Sequence, residues 1–260
     1  MVIIPHGGVK VPDEISGYEA VTSFDLFIQS DSCANELFNF NDNVASTINT
    51  DISRLFIDLD RPYTALPPNI DGVVKKTTLY GKPVFYEDMF PDEIAITNML
   101  QRYYFPFHEA IRKIIDTGSI DLILECHTMM AVGPKISHDP GKPRPLVILE
   151  NRVSNNNSVI KTCGDDLTAS LLEYMGKSFI KEESTIAQKY TIRSEPSKGF
   201  ILKRFGSGKI PVIRLSISRS LFLNDVYFSS DYMRVDELRI MQLKQLIWSA
   251  IEKLFIKNIA

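Results

Sequence analysis

The chain alternates short, continuous apolar runs with longer stretches in which apolar residues recur at helical spacing. Val2-Ile3-Ile4 opens the chain, and Leu122-Ile123-Leu124 repeats the design at mid-chain. Continuous runs of this length fit strands covered on both faces. Further strands are predicted over 52–59, 146–149, 185–192 and 210–217. A helix is predicted over 30–46, capped by Ser30-Asp31, with Cys33, Leu37, Phe38 and Val44 forming an imperfect apolar face. A second is predicted over 91–116, where Pro91-Asp92-Glu93 suits the positive helix end. Ile94, Met99, Tyr103, Phe107, Ile111 and Ile115 carry this helix, and Pro106 inside it is expected to kink or break it. Helices over 164–175, ended by Gly176, and over 231–257 complete the set. Loops rich in Pro and Gly fall at 63–83 and 132–145, and a shorter one at 194–199. The alternation predicts an α/β fold: a single domain over residues 1–260 with a mostly parallel, mixed sheet flanked by helices.

The polar residues that follow two of the strands change the picture from fold to chemistry. Pro5-His6-Gly7-Gly8 follows the first strand, and Glu125-Cys126-His127-Thr128 follows the apolar run at 122–124. Side chains just past the carboxyl ends of strands face the ligand crevice of an open α/β sheet. Two such histidines are a way to build a metal site from distant sequence. A catalytic zinc takes three protein ligands of N or O type and keeps a position open. The third ligand is expected to be a carboxylate, Asp31 or Asp25. Asp31 is favoured because it opens a predicted helix, although a plain N-cap role, worth about 1 kcal/mol, accounts for it equally well. His108 lies near the proline of its helix, and His138 lies in a polar loop beside Asp139. No His-Glu-x-x-His motif is present.

Composition narrows the class further. The chain has 260 residues, 44% hydrophobic and 23% charged, enough for one sizeable core. Its net charge of −3, with no Lys/Arg stripe beyond Lys75-Lys76 and Lys203-Arg204, argues against nucleic acid as a partner. Three widely spaced cysteines and no Cys-x-x-Cys pair fit a reducing compartment without a disulfide framework. No apolar run reaches the roughly 20 residues of a membrane span. The first strand begins at once, with no charged leader, so a cytoplasmic protein is expected. Nothing in the pattern sets an oligomeric state.

Taken together, these stretches resemble the N-formylglutamate amidohydrolase family and, more distantly, the zinc carboxypeptidases and aspartoacylases. Pro5-His6-Gly7-Gly8 is similar to the family's Pro-His-Ser/Gly-Gly, and Ser30-Asp31-Ser32 before Glu36-Leu37-Phe38 to its Thr-Asp-Trp before Leu-Tyr. Ile57-Asp58-Leu59-Asp60-Arg61 is similar to Val-Ile-Asp-x-Asn-Arg, and Gly81-Lys82-Pro83-Val84-Phe85 to Gly-x-Pro-Ile-Tyr. Pro106-Phe107-His108-Glu109-Ala110-Ile111 resembles Pro-Tyr-His-x-Ala-Leu, Glu125-Cys126-His127-Thr128 resembles Asp-x-His-Ser, and Arg219-Ser220-Leu221-Phe222 resembles Arg-x-Leu-Tyr. The resemblance implies a zinc-carboxypeptidase-like (phosphorylase/hydrolase-like) fold and one Zn2+ per chain held by His6, Asp31 and His127. It implies a small-molecule substrate with a carboxylate, bound by Arg61, whose planar guanidinium suits that group. His108, Lys198 and Arg219 are expected to line or brace the same pocket.

The chain departs from the family pattern at the site of catalysis. The strand before the Arg-x-Leu-Tyr segment reads Leu-Glu-Ile in the family, where the Glu is the general base. Here it reads Leu215-Ser216-Ile217, and a hydroxyl does not replace a carboxylate as base. Asp60 stands where Asn is usual, where it can pair with Arg61, and the Gly-rich loop is reduced to Pro196-Ser197-Lys198-Gly199. Glu125 and Glu195 are the alternative carboxylates; Glu125 lies two residues from His127 on the same strand face, placed to orient it or to act as base. Two readings follow: a zinc-dependent amidohydrolase of small acidic N-acyl compounds, or a member that kept the pocket, lost the base and binds a small anion or serves regulation. A Cys126 nucleophile is disfavoured, because Cys126 and His127 point to opposite strand faces.

Overall fold

The two apolar runs become neighbours at the centre of a six-stranded sheet. The computed structural model describes residues 1–67, 69, 71–180, 190–193 and 195–258. In chain order its strands are β1 (Val2–Ile4), β2 (Thr47–Asn49), β3 (Ile123–Met129), β4 (Val147–Glu150), β5 (Arg152–Asn155), β6 (Ser158–Lys161), β7 (Tyr190–Ile192), β8 (Val212–Ser218), β9 (Phe228–Ser229) and β10 (Arg234–Val235). Its helices are α1 (Ser23–Gln29), α2 (Ala34–Phe38), α3 (Glu93–Met99), α4 (Phe105–Asp116), α5 (Asp165–Ser178), α6 (Phe200–Phe205) and α7 (Glu237–Asn258). The sheet order is β2-β1-β3-β8-β4-β7. The first four of these strands are parallel; β4 runs antiparallel to β8, and β7 is parallel to β4. The result is the mostly parallel mixed sheet with helices on both faces that the alternation predicts.

Strand period sorts the side chains. Val2, Ile4, Leu124, Cys126, Leu215 and Ile217 join one core with Leu37 of α2, Leu171 of α5 and Leu243 of α7. Ile3, Ile123 and Val212 join the other, with Met99, Tyr104, Phe107 and Ile111. Glu125, His127, Arg214 and Ser216 alternate with Cys126 and Leu215, so they stand on the second face, toward the carboxyl ends of β3 and β8. All seven residues of β3 are buried. Cys126 is a core residue there, its burial pushing the thiol well above the usual range.

Several sequence expectations are corrected. The helix expected over 30–46 shrinks to α2: Cys33 takes a left-handed φ of 59° at its N-cap, and Asn41 one of 49° beyond its end. Before it, the Ser30 and Ser32 hydroxyls donate to Phe27 O, which holds that segment as a turn. The stretch 52–59 is no strand beyond single bridges at Ile52 and Ser53. Phe56 N–H and Ile57 N–H donate back to Ser53 O, and the turn buries Leu55, Phe56, Ile57 and Leu59 in the second core. Pro106 does not break its helix. A π turn over Leu100–Tyr104 joins α3 to α4, and Phe105 N–H donates to Leu100 O. The proline's missing donor thus falls where the ladder changes register. Gly176 lies inside α5, where a Cβ would still clear Tyr190 at 3.6 Å, so the helix passes through it. The C-terminal helix begins at Glu237, because β10 occupies 234–235. Of the strand expected over 185–192, residues 185–189 lie outside the described residues; β7 is its end. The β5–β6 hairpin, α1 and α6 are additions to the expected elements; α1 starts at a capping box between Thr22 and Asp25. Among the described residues, no helix is long and apolar enough to cross a membrane.

A candidate metal centre at the sheet edge

Two turns bring the first pair of site residues together. The chain leaves β1 at His6, whose carbonyl accepts the Asp31 N–H at 2.8 Å. Gly7 and Gly8 permit this path: a Cβ on Gly8 would lie 2.2 Å from the Asp51 carbonyl carbon. His127 arrives from β3, the strand beside β1. All three side chains are buried, and their donor atoms lie within 4.8 Å of one another. Asp31 Oδ2 is 2.7 Å from His127 Nδ1 and 3.8 Å from His6 Nδ1. The ring centroids are 5.0 Å apart.

Each imidazole is oriented from behind by a carboxylate. His6 Nε2 donates to Asp58 Oδ1 at 2.8 Å, and His127 Nε2 donates to Glu125 Oε1 at 3.0 Å. This fixes both rings with Nδ1 toward Asp31, the arrangement by which outer carboxylates hold metal-binding histidines. Burial and the Arg54 charge lower the His6 pKa, outweighing Asp58 and Asp31, so the ring is neutral. Its Nδ1 is buried and has no hydrogen-bond partner. An orphaned imidazole lone pair facing a carboxylate and a second Nδ1 fits a metal ion, since a buried polar atom otherwise needs a partner. Two imidazoles and one carboxylate are also the donor set of a three-ligand catalytic zinc site. Burial alone would lower His127, but its hydrogen bonds to Asp31 and Glu125 prevail and push it up to about 9. Burial would raise Asp31, but the hydrogen bond and charge of His127, with the Arg54 charge, hold it well below the usual carboxylate range.

A cleft of about 630 Å³ opens beside the triad. Arg54, Arg61, Lys75, Arg193, Lys198 and Arg214 line it beside Asp71, Glu150 and Glu195, and guanidinium and ammonium groups of this kind suit an anion. Arg54 bridges cleft and centre: its guanidinium lies 3.1 Å from Asp58 Oδ2 and 3.8 Å from Asp31 Oδ1. Arg214 Nη2 donates to Asp60 Oδ2 at 2.8 Å and to Glu125 Oε1 at 2.7 Å. Gly199 makes room for that guanidinium, since a Cβ there would lie 1.7 Å from Nη2.

The remaining expected site residues divide between cleft and core. Arg61, Lys198 and Glu195 line the cleft. Lys198 and Glu195 are exposed, and neither has an ion pair among the described residues. Glu125 is fully buried behind His127. Ser216 pairs in register with His127 on the neighbouring strand and brings no charge. His108 is buried among Tyr104, Phe107, Phe200 and Phe205, and its Nε2 donates to Leu59 O at 3.0 Å, away from the cleft lining. Arg219 is buried too. It donates to Ile28 O at 2.7 Å, to Thr128 Oγ1 at 3.1 Å, to Ser30 O and, at 3.4 Å, to Asp31 Oδ1, so it braces the segment carrying Asp31. The exposed His138 lines the cleft rim. Asp60 pairs chiefly with Arg214, its Oδ2 lying 3.5 Å from Arg61 Nη1. Sequence reasoning assigned no role to Arg54, Asp58, Asp71, Lys75 or Arg214. The only signal was the placement of Asp58 in a family-like motif, with Arg54 four residues before it.

Comparison with known proteins bears on this arrangement. The chain is similar in fold to an N-formylglutamate amidohydrolase from Ralstonia eutropha JMP134, at 16% identity and a TM-score of 0.67 over 98% of this chain and 92% of that one. A gene product of Agrobacterium tumefaciens is similar at 16% identity and a TM-score of 0.59, over 98% and 90%. A metallo-carboxypeptidase from Burkholderia cenocepacia is a distant likeness, at 11% identity and a TM-score of 0.37, over 100% of this chain and 56% of that one. A search of curated proteins finds no match. The family model for N-formylglutamate amidohydrolase matches residues 1–223, so the chain belongs to the N-formylglutamate amidohydrolase family.

Proposed function

We propose that the protein is a zinc-dependent amidohydrolase that cleaves the amide bond of a small, acidic N-acyl amino acid. Family membership supports amide hydrolysis. The observation that carries the metal dependence is the unpartnered, buried Nδ1 of His6, turned toward Asp31 and His127. His6, Asp31 and His127 would hold the ion, which supplies Lewis acidity: it acidifies water and polarises the amide carbonyl. Asp58 and Glu125 hold the two imidazoles in the ligand tautomer. The cationic cleft binds the substrate's carboxylate, and Arg54 places a guanidinium over the centre, where negative charge develops on the carbonyl oxygen. Glu195 is the cleft carboxylate with no cation bound to it among the described residues. It takes the proton of the attacking water and returns it to the departing nitrogen.

The protein purified from zinc-replete medium is expected to carry about one zinc per chain and to hydrolyse members of an N-acyl amino acid panel. His6→Ala and His127→Ala lose the metal. Asp58→Asn lowers metal affinity by about 10- to 100-fold, measured by competition with a chromophoric chelator. A metal-free product from that medium refutes the reading. Ser216 favours a second reading, a member that kept the pocket and lost the base. A native chain that is inert while Ser216→Glu is active supports it.

A further inference from the structure

Two cations beside the metal centre already hold a carboxylate, and it belongs to the protein. Asp71 Oδ2 accepts from Arg61 Nη2 at 2.8 Å, and Asp71 Oδ1 accepts from Lys75 Nζ at 2.8 Å. All three residues line the cleft. One carboxylate spreading its two oxygens over two cations is how an incoming carboxylate would be held. The exposures are unequal: the Arg61 and Lys75 side chains are 19% and 9% exposed, that of Asp71 67%. Asp71 therefore reaches in from the solvent side.

The cations do not need Asp71 to stay in place. Arg61 Nη1 donates to Asp60 O at 2.8 Å, and Tyr104 Oη donates to Arg61 O at 2.7 Å. Lys75 Nζ lies 2.9 Å from Asp58 Oδ2, and its backbone N–H donates to Leu55 O at 3.0 Å. Asp71 is fixed by its own backbone neighbours. Val73 N–H donates to Ala65 O at 2.8 Å, and Gly72 packs so closely that a Cβ would lie 2.1 Å from that oxygen.

We propose that Arg61 and Lys75 form an anion seat and that Asp71 sets its selectivity by occupying it. A ligand with a single carboxylate exchanges one anion for another on the same cations and gains little. A ligand that also reaches Lys198 or the metal centre makes a second contact and displaces Asp71. The seat thus rejects simple monoanions and admits substrates anchored at two points. This inference rests on the cleft being the substrate site of the proposed amidohydrolase.

Succinate titrated calorimetrically into the protein tests it, beside hydrolysis of the N-acyl amino acid panel. Asp71→Asn keeps the side chain's size at an exposed position and is expected to bind succinate about tenfold tighter, the scale of one charge-assisted hydrogen bond. Acetate, unmeasurable with the native chain, becomes measurable with this variant. Arg61→Met added to Asp71→Asn cancels the gain. Unchanged or weaker succinate binding in Asp71→Asn overturns the proposal, as does a gain that survives Arg61→Met. The two readings separate cleanly. A native chain that hydrolyses the panel while Asp71→Asn gains nothing sinks the seat alone; an inert chain whose Asp71→Asn variant gains affinity sinks the hydrolase reading alone.

Discussion

At the scale of single residues, the site is a matter of which nitrogen faces which carboxylate. His6 and His127 are recognisable in the sequence because each follows an apolar strand. Their partners Asp58 and Asp31 are 52 and 96 residues away, and nothing local marks them as partners. His108 shows the converse: a histidine in a family-like motif that turns into the core. Burial lowers it to about 4, helped by the Arg204 charge. The unfolded chain holds its histidine proton up to about pH 6.5, so between pH 6.5 and 4 it binds more protons than the native state. Stability rises with pH across that window and falls as the pH drops through it, by about 3 kcal/mol in all. His108→Gln keeps a donor for Leu59 O and removes the titration. Urea unfolding across pH 4.5–7.5 should show a shallower decline for the variant, and parallel curves would contradict the assignment.

At the scale of elements, periodicity located the long helices and the central strands, and failed where a side chain or a turn overrode it. The run at 52–59 has the composition of a strand, yet Ser53 turns the backbone and Asp58 and Asp60 enter the site. Pro106 is the sharper case. An interior proline costs a helix about 3 kcal/mol. Here the π turn before it removes the lost hydrogen bond from the account. Pro106→Ala is therefore expected to change stability by less than about 1 kcal/mol, read from the midpoint of urea denaturation. A gain near 3 kcal/mol would mean that the proline is strained after all.

At the scale of the whole molecule, the centre joins the turn after β1, the segment before α2 and strand β3. These parts meet only in the folded state, so a bound ion stabilises that state by mass action. Removing the metal with a chelator should lower the melting temperature by several degrees, since each 1 kcal/mol moves a chain of this size by about 2–4 °C. His6→Ala, which cannot load, should show no chelator effect; an equal drop in both proteins would place the ion elsewhere.

What the sequence determined by itself was the α/β alternation, the two histidine-bearing strand ends and the family-like order of motifs, because each is written in local period or local composition. Tertiary structure decided the rest: that Asp58 backs the His6 ring and Arg54 reaches the centre, that Arg219 and His108 are spent on the interior, and that Asp71 sits on Arg61 and Lys75. Those outcomes depend on which side chains the parallel strands and their crossing turns bring within about 3 Å. That distance is a property of register and packing, which no stretch of chain carries alone.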